Sequence, residues 1–378
     1  PATFDGELAR IRQARGMGVV PPAFLLDKAI GQMEQTIASA GKGELFAADL
    51  RGKLQAMGMP ESHANRAAIL EAGPIAEALT RQLEELRAER AEEKKAAAEA
   101  ALAPLDDFIR DLAELANRVY EPGAQKAVIA DCVIAQLATW AEAGALETLA
   151  TETAQLTIGA RLAGLGLALR QIVPHATRHE DLSAIQRWLS ALAYRQLGFW
   201  EQAPGGARQG NLRAWAALGV AAIADLGGDR LLRGWAAWST DYVLCTAAPD
   251  GSLPQEMTRG RLAFHYQMHA VAPLVVASRL LADHGFAPGA RCDAALDRVV
   301  GFVLDDLTDG ATTREITGEE QSYFDGSREI SAYNLAWLEA YLTLTTSSDL
   351  EVLAAVYRPL ASSKLGGDQG LIWRRAAE

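Results

Sequence analysis

Apolar residues recur every three to four positions along most of this chain, whereas alternating runs of Val, Ile and Thr are nearly absent. That period puts apolar groups on one face of a helix and cannot build a strand that is buried on one side. Ala, Leu, Glu and Arg, all good helix formers, make up most of the pattern. An all-α fold is therefore expected. The chain has 378 residues, 49% of them apolar, enough for a sizeable core in one large domain or two ordinary ones.

The pattern is interrupted once. Ile75, Leu79, Leu83 and Leu86 form an apolar stripe, but from Arg87 to Ala101 Arg, Glu, Lys and Ala leave no apolar face. This stretch reads as an exposed helical spacer. Pro104 then opens an amphipathic helix through Leu105, Phe108, Ile109, Leu112 and Leu115, as Pro does in a first turn. We expect an N-terminal helical segment with a charged, Ala-rich spacer over 1–100 and a second domain over 101–378. In the latter, helical stretches alternate with turns such as Glu121-Pro-Gly123, Asp225-Leu-Gly-Gly228 and Pro249-Asp-Gly251. Repeated helix pairs suit an α/α toroid, although periodicity alone equally allows an ordinary bundle.

Charge narrows the partners. With 36 Lys and Arg against 48 Asp and Glu, the net charge of −12 argues against nucleic acid and against an anionic membrane surface. No apolar run of the roughly 18 residues needed to cross a bilayer is read, so membrane insertion is not expected. Cys132, Cys245 and Cys292 lack metal-type spacing and are expected to be buried free thiols. No metal or other cofactor is called for.

Two segments carry chemistry, Asn211-Leu-Arg-Ala-Trp215 and Leu253-Pro-Gln-Glu-Met-Thr-Arg-Gly-Arg-Leu-Ala-Phe-His-Tyr266. Asn211 and Trp215 are four apart and share a helix face, offering an amide and a flat apolar surface suited to a sugar ring. Arg259 and Tyr266 are seven apart, close to two turns if one helix holds both, and would aim a cation and a phenol at one ligand. Arg and Tyr at this spacing also describe an ordinary solvated face. Glu256, three residues before Arg259, would orient it or form a surface ion pair with it. On the same helix His265 points about 100° away from Tyr266, while His269 lies one turn on.

Together the two segments resemble the active-site core of the alginate lyase family, where the first reads Asn-His-x-Tyr-Trp and the second Leu-Pro-x-Glu-x-x-Arg, with Tyr seven residues later. The resemblance covers roughly Ala103 to Trp373 and includes the Leu-, Trp- and Ala-rich stretch Cys132 to Leu146. Leu335-Ala-Trp-Leu-Glu-Ala-Tyr341 and Tyr357-Arg-Pro-Leu-Ala-Ser-Ser-Lys-Leu-Gly-Gly367 are also similar. It implies an α/α toroid (an incomplete α/α barrel) of helical hairpins, with residues 1–100 as an additional helical segment. The implied activity is β-elimination on an acidic, uronate-containing polysaccharide or oligosaccharide, without a metal, in the periplasm or outside the cell. Asn211 and Arg259 would bind the uronate carboxylate and Tyr266 would move the protons, with Trp215, Arg213, Arg208, Glu256 and His269 as candidate substrate-binding residues.

The chain departs from the family twice. Leu212 stands where the family has His, and the family's catalytic Lys has no counterpart before Pro104. Arg208, Arg213, Arg261, His265 and His269 flank the two segments as replacements, and the extra arginines suit a polyuronate other than alginate or an unusual linkage. Two further readings stay open: a binding protein that has lost turnover, and a structural or engineered fusion on a lyase-like scaffold. Arg15-Gly-Met-Gly-Val-Val-Pro-Pro-Ala-Phe-Leu-Leu-Asp27 resembles part of a bacterial family of helical, metallopeptidase-like proteins. The chain contains no His-Glu-x-x-His, so no peptidase activity is carried over. Residues 1–100 are read as a helical appendage for packing or oligomerisation.

Overall fold

A computed structural model describes residues 23–41, 100–374 except 204, and the isolated positions 52, 55, 56, 83 and 87. The chain divides into two compact units, Pro1–Pro104 and Leu105–Glu378. In the first, helix α1 (Ala23–Gly41) buries Ala29 and Met33, one turn apart, and Arg87 donates to Glu34 at 2.6 Å. Ile75, Leu79 and Leu86, nearly all of the expected spacer and most of the stretch Arg15 to Asp27 lie outside the described residues.

Among the described residues of the second unit the regular elements are helices, apart from one hairpin of two-residue strands. A first helix, α2 (residues 105–117 within this unit), buries Leu105, Ile109 and Leu112 as its stripe predicts. There follow α3 (Lys126–Glu142), α4 (Glu152–Thr157), α5 (Gly159–Ile172), α6 (His179–Trp200), α7 (Asn211–Gly227), α8 (Arg230–Leu244) and α9 (Pro254–Met257). Next come α10 (Ala263–Ala282), α11 (Ala295–Asp306), α12 (Ala311–Thr317), α13 (Leu338–Tyr341) and α14 (Ser348–Tyr357). The chain closes with strands β1 (Ala361–Ser362) and β2 (Gly367–Asp368) and with α15 (Gln369–Trp373).

Two kinds of helix make the toroid. In α5, α7 and α10 almost every residue is buried, whereas α3, α6, α8 and α11 bury one stripe and expose the other, so the first set forms the inner layer. α7 is central, packing on α5, α6, α8 and α10, and buries every residue from Asn211 to Ala224 except Leu212. Its approach to α5 depends on glycine. A Cβ on Gly159 would lie 2.6 Å from the Ala216 nitrogen, so only glycine lets these two backbones come so close.

Two expectations need correction. The run Glu152–His175 is long and apolar enough to cross a bilayer, contrary to the reading that no such run exists, yet 78% of its apolar window is buried inside the fold. It comprises the short helix α4, the inner helix α5 and the turn Val173–His175. The cysteines also differ from expectation: Cys245, at the C-terminal cap of α8, is bonded to Cys292, with Cα atoms 5.3 Å apart, and Cys132 is free but exposed. The bridge encloses the segment holding Arg259 and Tyr266.

The C-terminal hairpin pairs Ala361 with Asp368 and Ser362 with Gly367. Its turn is bolted to the inner layer: the Gly366 carbonyl accepts from Asn117 Nδ2 at 3.2 Å and Gln171 Nε2 at 2.8 Å, and Asp368 N donates to Asn117 Oδ1 at 2.7 Å. Gly366 has φ +89°, and a Cβ there would collide with Leu167, which accounts for glycine in this part of the motif.

Candidate active site

The site gathers where α7 and α10 begin. Gly210 leads into α7 in an extended conformation and has no side chain to cap the helix. Glu256, from α9, does so instead. Its Oε1 accepts from the Asn211 backbone N–H at 2.6 Å and its Oε2 from Asn211 Nδ2 at 2.9 Å, so one buried carboxylate fixes both the helix start and the amide. Burial pushes the Glu256 carboxyl above its usual range, while the two Asn211 bonds and the Arg259 charge oppose that shift. Glu256 thus orients Asn211 through hydrogen bonds. The expectation that it pairs with Arg259 at the surface is corrected: the Glu256 side chain is buried and turned to Asn211, and its link to Arg259 is the backbone bond from Arg259 N to the Glu256 carbonyl at 3.0 Å together with the attraction of their charges.

Arg259 and Tyr266 do come together, but not along one helix. Arg259 lies in the turn after α9, Gly260 to Leu262 form a short 3-10 turn with Gly260 at φ +53°, and Tyr266 sits in the first turn of α10. The Arg259 guanidinium stands 5.0 Å from the centroid of the Tyr266 ring. Arg259 is exposed, and no carboxylate among the described residues lies within ion-pair distance of it. Nor does any described side chain hydrogen-bond the half-buried Tyr266 hydroxyl. A cation and a phenol therefore both face outward with their bonding capacity unused.

Behind them stands an aromatic wall. Trp215 packs on His269 with ring centroids 5.2 Å apart, and His269 lies parallel to His265 at 6.2 Å. Burial, reinforced by Lys364 and His265, lowers the His269 pKa to about 3, and burial with the Arg328 charge lowers that of His265 to about 4. Both rings are neutral at physiological pH and are weak bases. His265 Nδ1 meets the Tyr323 hydroxyl at 2.9 Å, and that hydroxyl accepts from Asn334 Nδ2 at 3.1 Å. Trp215, His265, His269, Tyr333 and Asn334 line a small cavity of about 30 Å³, closed on the hairpin side by Ser362 and Leu365.

Tyr323, Arg328, Tyr333 and Asn334 escaped the sequence reading because the stretch 318–337 is irregular and has no period to follow. It is nevertheless fixed in place. Gln321 Oε1 accepts from Phe264 N at 3.0 Å, Ser322 N donates to the Arg261 carbonyl at 2.9 Å, and Arg261 bonds Asp325 at 2.5 Å and Ser327 at 2.6 Å. Arg261 is thereby committed to holding this loop and is not a free ligand.

Arg213 also lies elsewhere. Two positions after Asn211 it leaves the opposite side of α7, where its buried guanidinium stacks 4.6 Å from the Trp238 ring and 4.7 Å from Tyr242 and bonds Ser239 at 3.1 Å and Glu201 at 3.4 Å. Arg208, in the turn Ala207–Gln209, is close enough for its charge to act on Arg213. Arg213 belongs to the packing between α7 and α8 rather than to the face that carries Asn211 and Trp215. Leu212 packs against the core. Among the described residues no group of three or more His, Cys, Asp or Glu side chains is placed to hold a metal ion.

A helical toroid presenting a buried amide, an unpaired guanidinium and a phenol beside an aromatic wall has the form of a polysaccharide lyase. A family model described as Alginate lyase matches residues 54–313, and the chain belongs to the alginate lyase family. The match begins well before Ala103, where the resemblance of motifs starts. The chain is 29% identical over 277 residues to a polysaccharide lyase of Stenotrophomonas maltophilia, covering 72% of this chain and 80% of that protein. It is 29% identical over 246 residues to an alginate lyase of Pseudomonas syringae pv. tomato, covering 63% of this chain and 64% of the relative. Among solved structures, alginate lyase A1-III from Sphingomonas species A1 superposes with a TM-score of 0.63 at 20% identity, covering 73% of this chain and 77% of that one. A substituted form of alginate lyase A1-III complexed with tetrasaccharide gives 0.64 at 21% identity, with the same coverage. These likenesses establish the all-α toroid.

Proposed function

We propose that this chain cleaves an acidic, uronate-containing polysaccharide by β-elimination, with Asn211 and Arg259 binding the carboxylate and Tyr266 carrying the protons. The supporting observation is the Arg259 guanidinium, without a carboxylate partner among the described residues, 5.0 Å from the centroid of the Tyr266 ring. The proton beside a charged carboxylate is hardly acidic, since its removal builds a second negative charge next to the first. Neutralising that carboxylate comes first, and an always-charged guanidinium beside a pre-aligned amide is suited to it.

The step balances on one residue. Tyr266 Oη takes the proton from C5, the electron pair forms the C4=C5 double bond, and the C4–O bond breaks as Tyr266 returns the proton to the departing glycosidic oxygen. One residue can do both only when the proton and the leaving oxygen lie on the same face of the ring. The D-configured mannuronate and glucuronate meet that condition, whereas their C5 epimers need a base on the opposite face. Leu212 provides none, and the weakly basic His265 and His269 are poor substitutes.

The Cys245–Cys292 disulfide supports a periplasmic or secreted location, because such bonds persist in oxidising compartments. The test of function is Tyr266→Phe, which keeps the ring and removes the proton carrier. We expect kcat on a susceptible polyuronate to fall at least about a hundredfold with little change in oligouronate binding. A variant as active as the parent would remove Tyr266 from the reaction.

A further inference from the structure

The cavity beside Trp215 and His269 ends on the C-terminal hairpin, where Ser362 and Leu365 line it and Lys364 stands between them in the turn Ser363–Leu365. Lys364 is half-buried, and no described residue accepts a hydrogen bond from its ammonium or pairs with its charge. Its charge nevertheless reaches His269, at the cavity wall. Trp215 is 3% exposed, and its Nε1–H is buried without a hydrogen-bond partner. The cavity is thus lined by a buried indole donor that the protein leaves unsatisfied, a state that costs free energy and is rare in native structures, while an ammonium with no partner among the described residues stands on the hairpin beside it.

The surroundings make this more than loose packing. Asn117 and Gln171 pin the hairpin turn to the inner helices through the Gly366 carbonyl, so Lys364 is held on a rigid support. At about 30 Å³ the cavity has room for about two water-sized groups, which a planar carboxylate fills and a pyranose ring does not. A carboxylate is also the group that satisfies an ammonium and an indole N–H together.

We infer that Lys364 and the Trp215 indole bind the carboxylate of the uronate adjoining the one held by Asn211 and Arg259, so that the site selects consecutive uronates over polymers in which uncharged sugars flank each uronate. This rests on the proposed lyase reading, which supplies the first carboxylate. It assigns Lys364 a binding role and Trp215 a polar role beyond its flat face.

Binding can be read without turnover. Affinity for a tetrauronate, and for the same tetrasaccharide with alternate carboxyls reduced to alcohols, is measured by calorimetry on Tyr266→Phe and on Tyr266→Phe with Lys364→Met. The fully charged ligand should bind about tenfold more weakly when Lys364 is replaced, the reduced ligand should bind both proteins equally, and Lys364→Arg should restore most of the loss. Matching melting curves exclude a folding defect. Equal binding of the charged ligand with and without Lys364, or an undiminished preference for it in Lys364→Met, would overturn the inference. Absence of unsaturated product from the parent together with Lys364-dependent binding would sink the lyase reading and leave this site standing. Turnover without Lys364 dependence would do the reverse, and failure to bind any tetrauronate would end both.

Discussion

Glu256→Gln isolates how Asn211 is held. The parent carboxylate accepts at 2.6 Å from the Asn211 backbone and at 2.9 Å from its amide, and both acceptors are buried. A glutamine has nearly the same shape but only one oxygen, so one Asn211 N–H must face an N–H₂ group. Hydrogen bonds to a charged partner contribute about 1.5–3 kcal/mol each. The same burial that raises the Glu256 pKa means that part of this loss is offset when the charge goes. The net loss should sit near the lower end, about 1.5 kcal/mol, or roughly tenfold in kcat/KM on a polyuronate. A double-mutant cycle carries the diagnosis. If Glu256 acts only by positioning Asn211, then Glu256→Gln in an Asn211→Ala background should cost almost nothing further in kcat/KM. Additive losses, or a Glu256→Gln enzyme as fast as the parent, would refute the argument.

Three further outcomes are expected. Replacing both Cys245 and Cys292 by Ser opens a loop with a sequence separation of 47, which the chain-entropy relation values at about 4 kcal/mol; calorimetry should show Tm lower by roughly 10 °C, and an unchanged Tm would mean that the bridge stabilises nothing. His269 and His265, with pKa values of about 3 and about 4, lie below the ordinary histidine value, so protons bind the unfolded chain more tightly. Their contribution is complete above about pH 6.5 and is lost as pH falls towards 4; His269→Asn should flatten the fall in Tm over that range, and an identical slope would contradict it. Arg259→Ala should raise KM and lower kcat together, because the guanidinium serves both the bound carboxylate and the developing charge; a loss confined to KM would limit Arg259 to ground-state binding.

Much of this was legible in the sequence, for identifiable reasons. The period near 3.6 announced the helices, and the i, i+4 spacing placed Asn211 and Trp215 on one face of α7. The motif joined Arg259 to Tyr266, although the route between them is a 3-10 turn that helical spacing does not foresee. What escaped depends on residues that meet from distant parts of the sequence. Glu256 reaches Asn211 across 45 positions, Tyr323 and Asn334 come from an irregular loop, and the expectation of free thiols at Cys245 and Cys292 fails because their meeting across 47 positions leaves no mark in the spacing. Arg213 is near Asn211 in sequence, but its position two residues on turns it to the other side of the helix. The family match from residue 54 also reaches back across the charged, Ala-rich stretch, where the quoted family motifs have no counterpart.

The most direct measurement is release of the C4=C5-unsaturated uronate product, followed by its ultraviolet absorbance, during incubation with polymannuronate, polyglucuronate, polyguluronate and glycosaminoglycans. The account predicts product from a polymer of consecutive D-uronates, polymannuronate or polyglucuronate, and none from polyguluronate. Product from polyguluronate at a comparable rate would contradict the assignment of Tyr266 as the sole base, and absence of product from every polymer would contradict β-elimination itself.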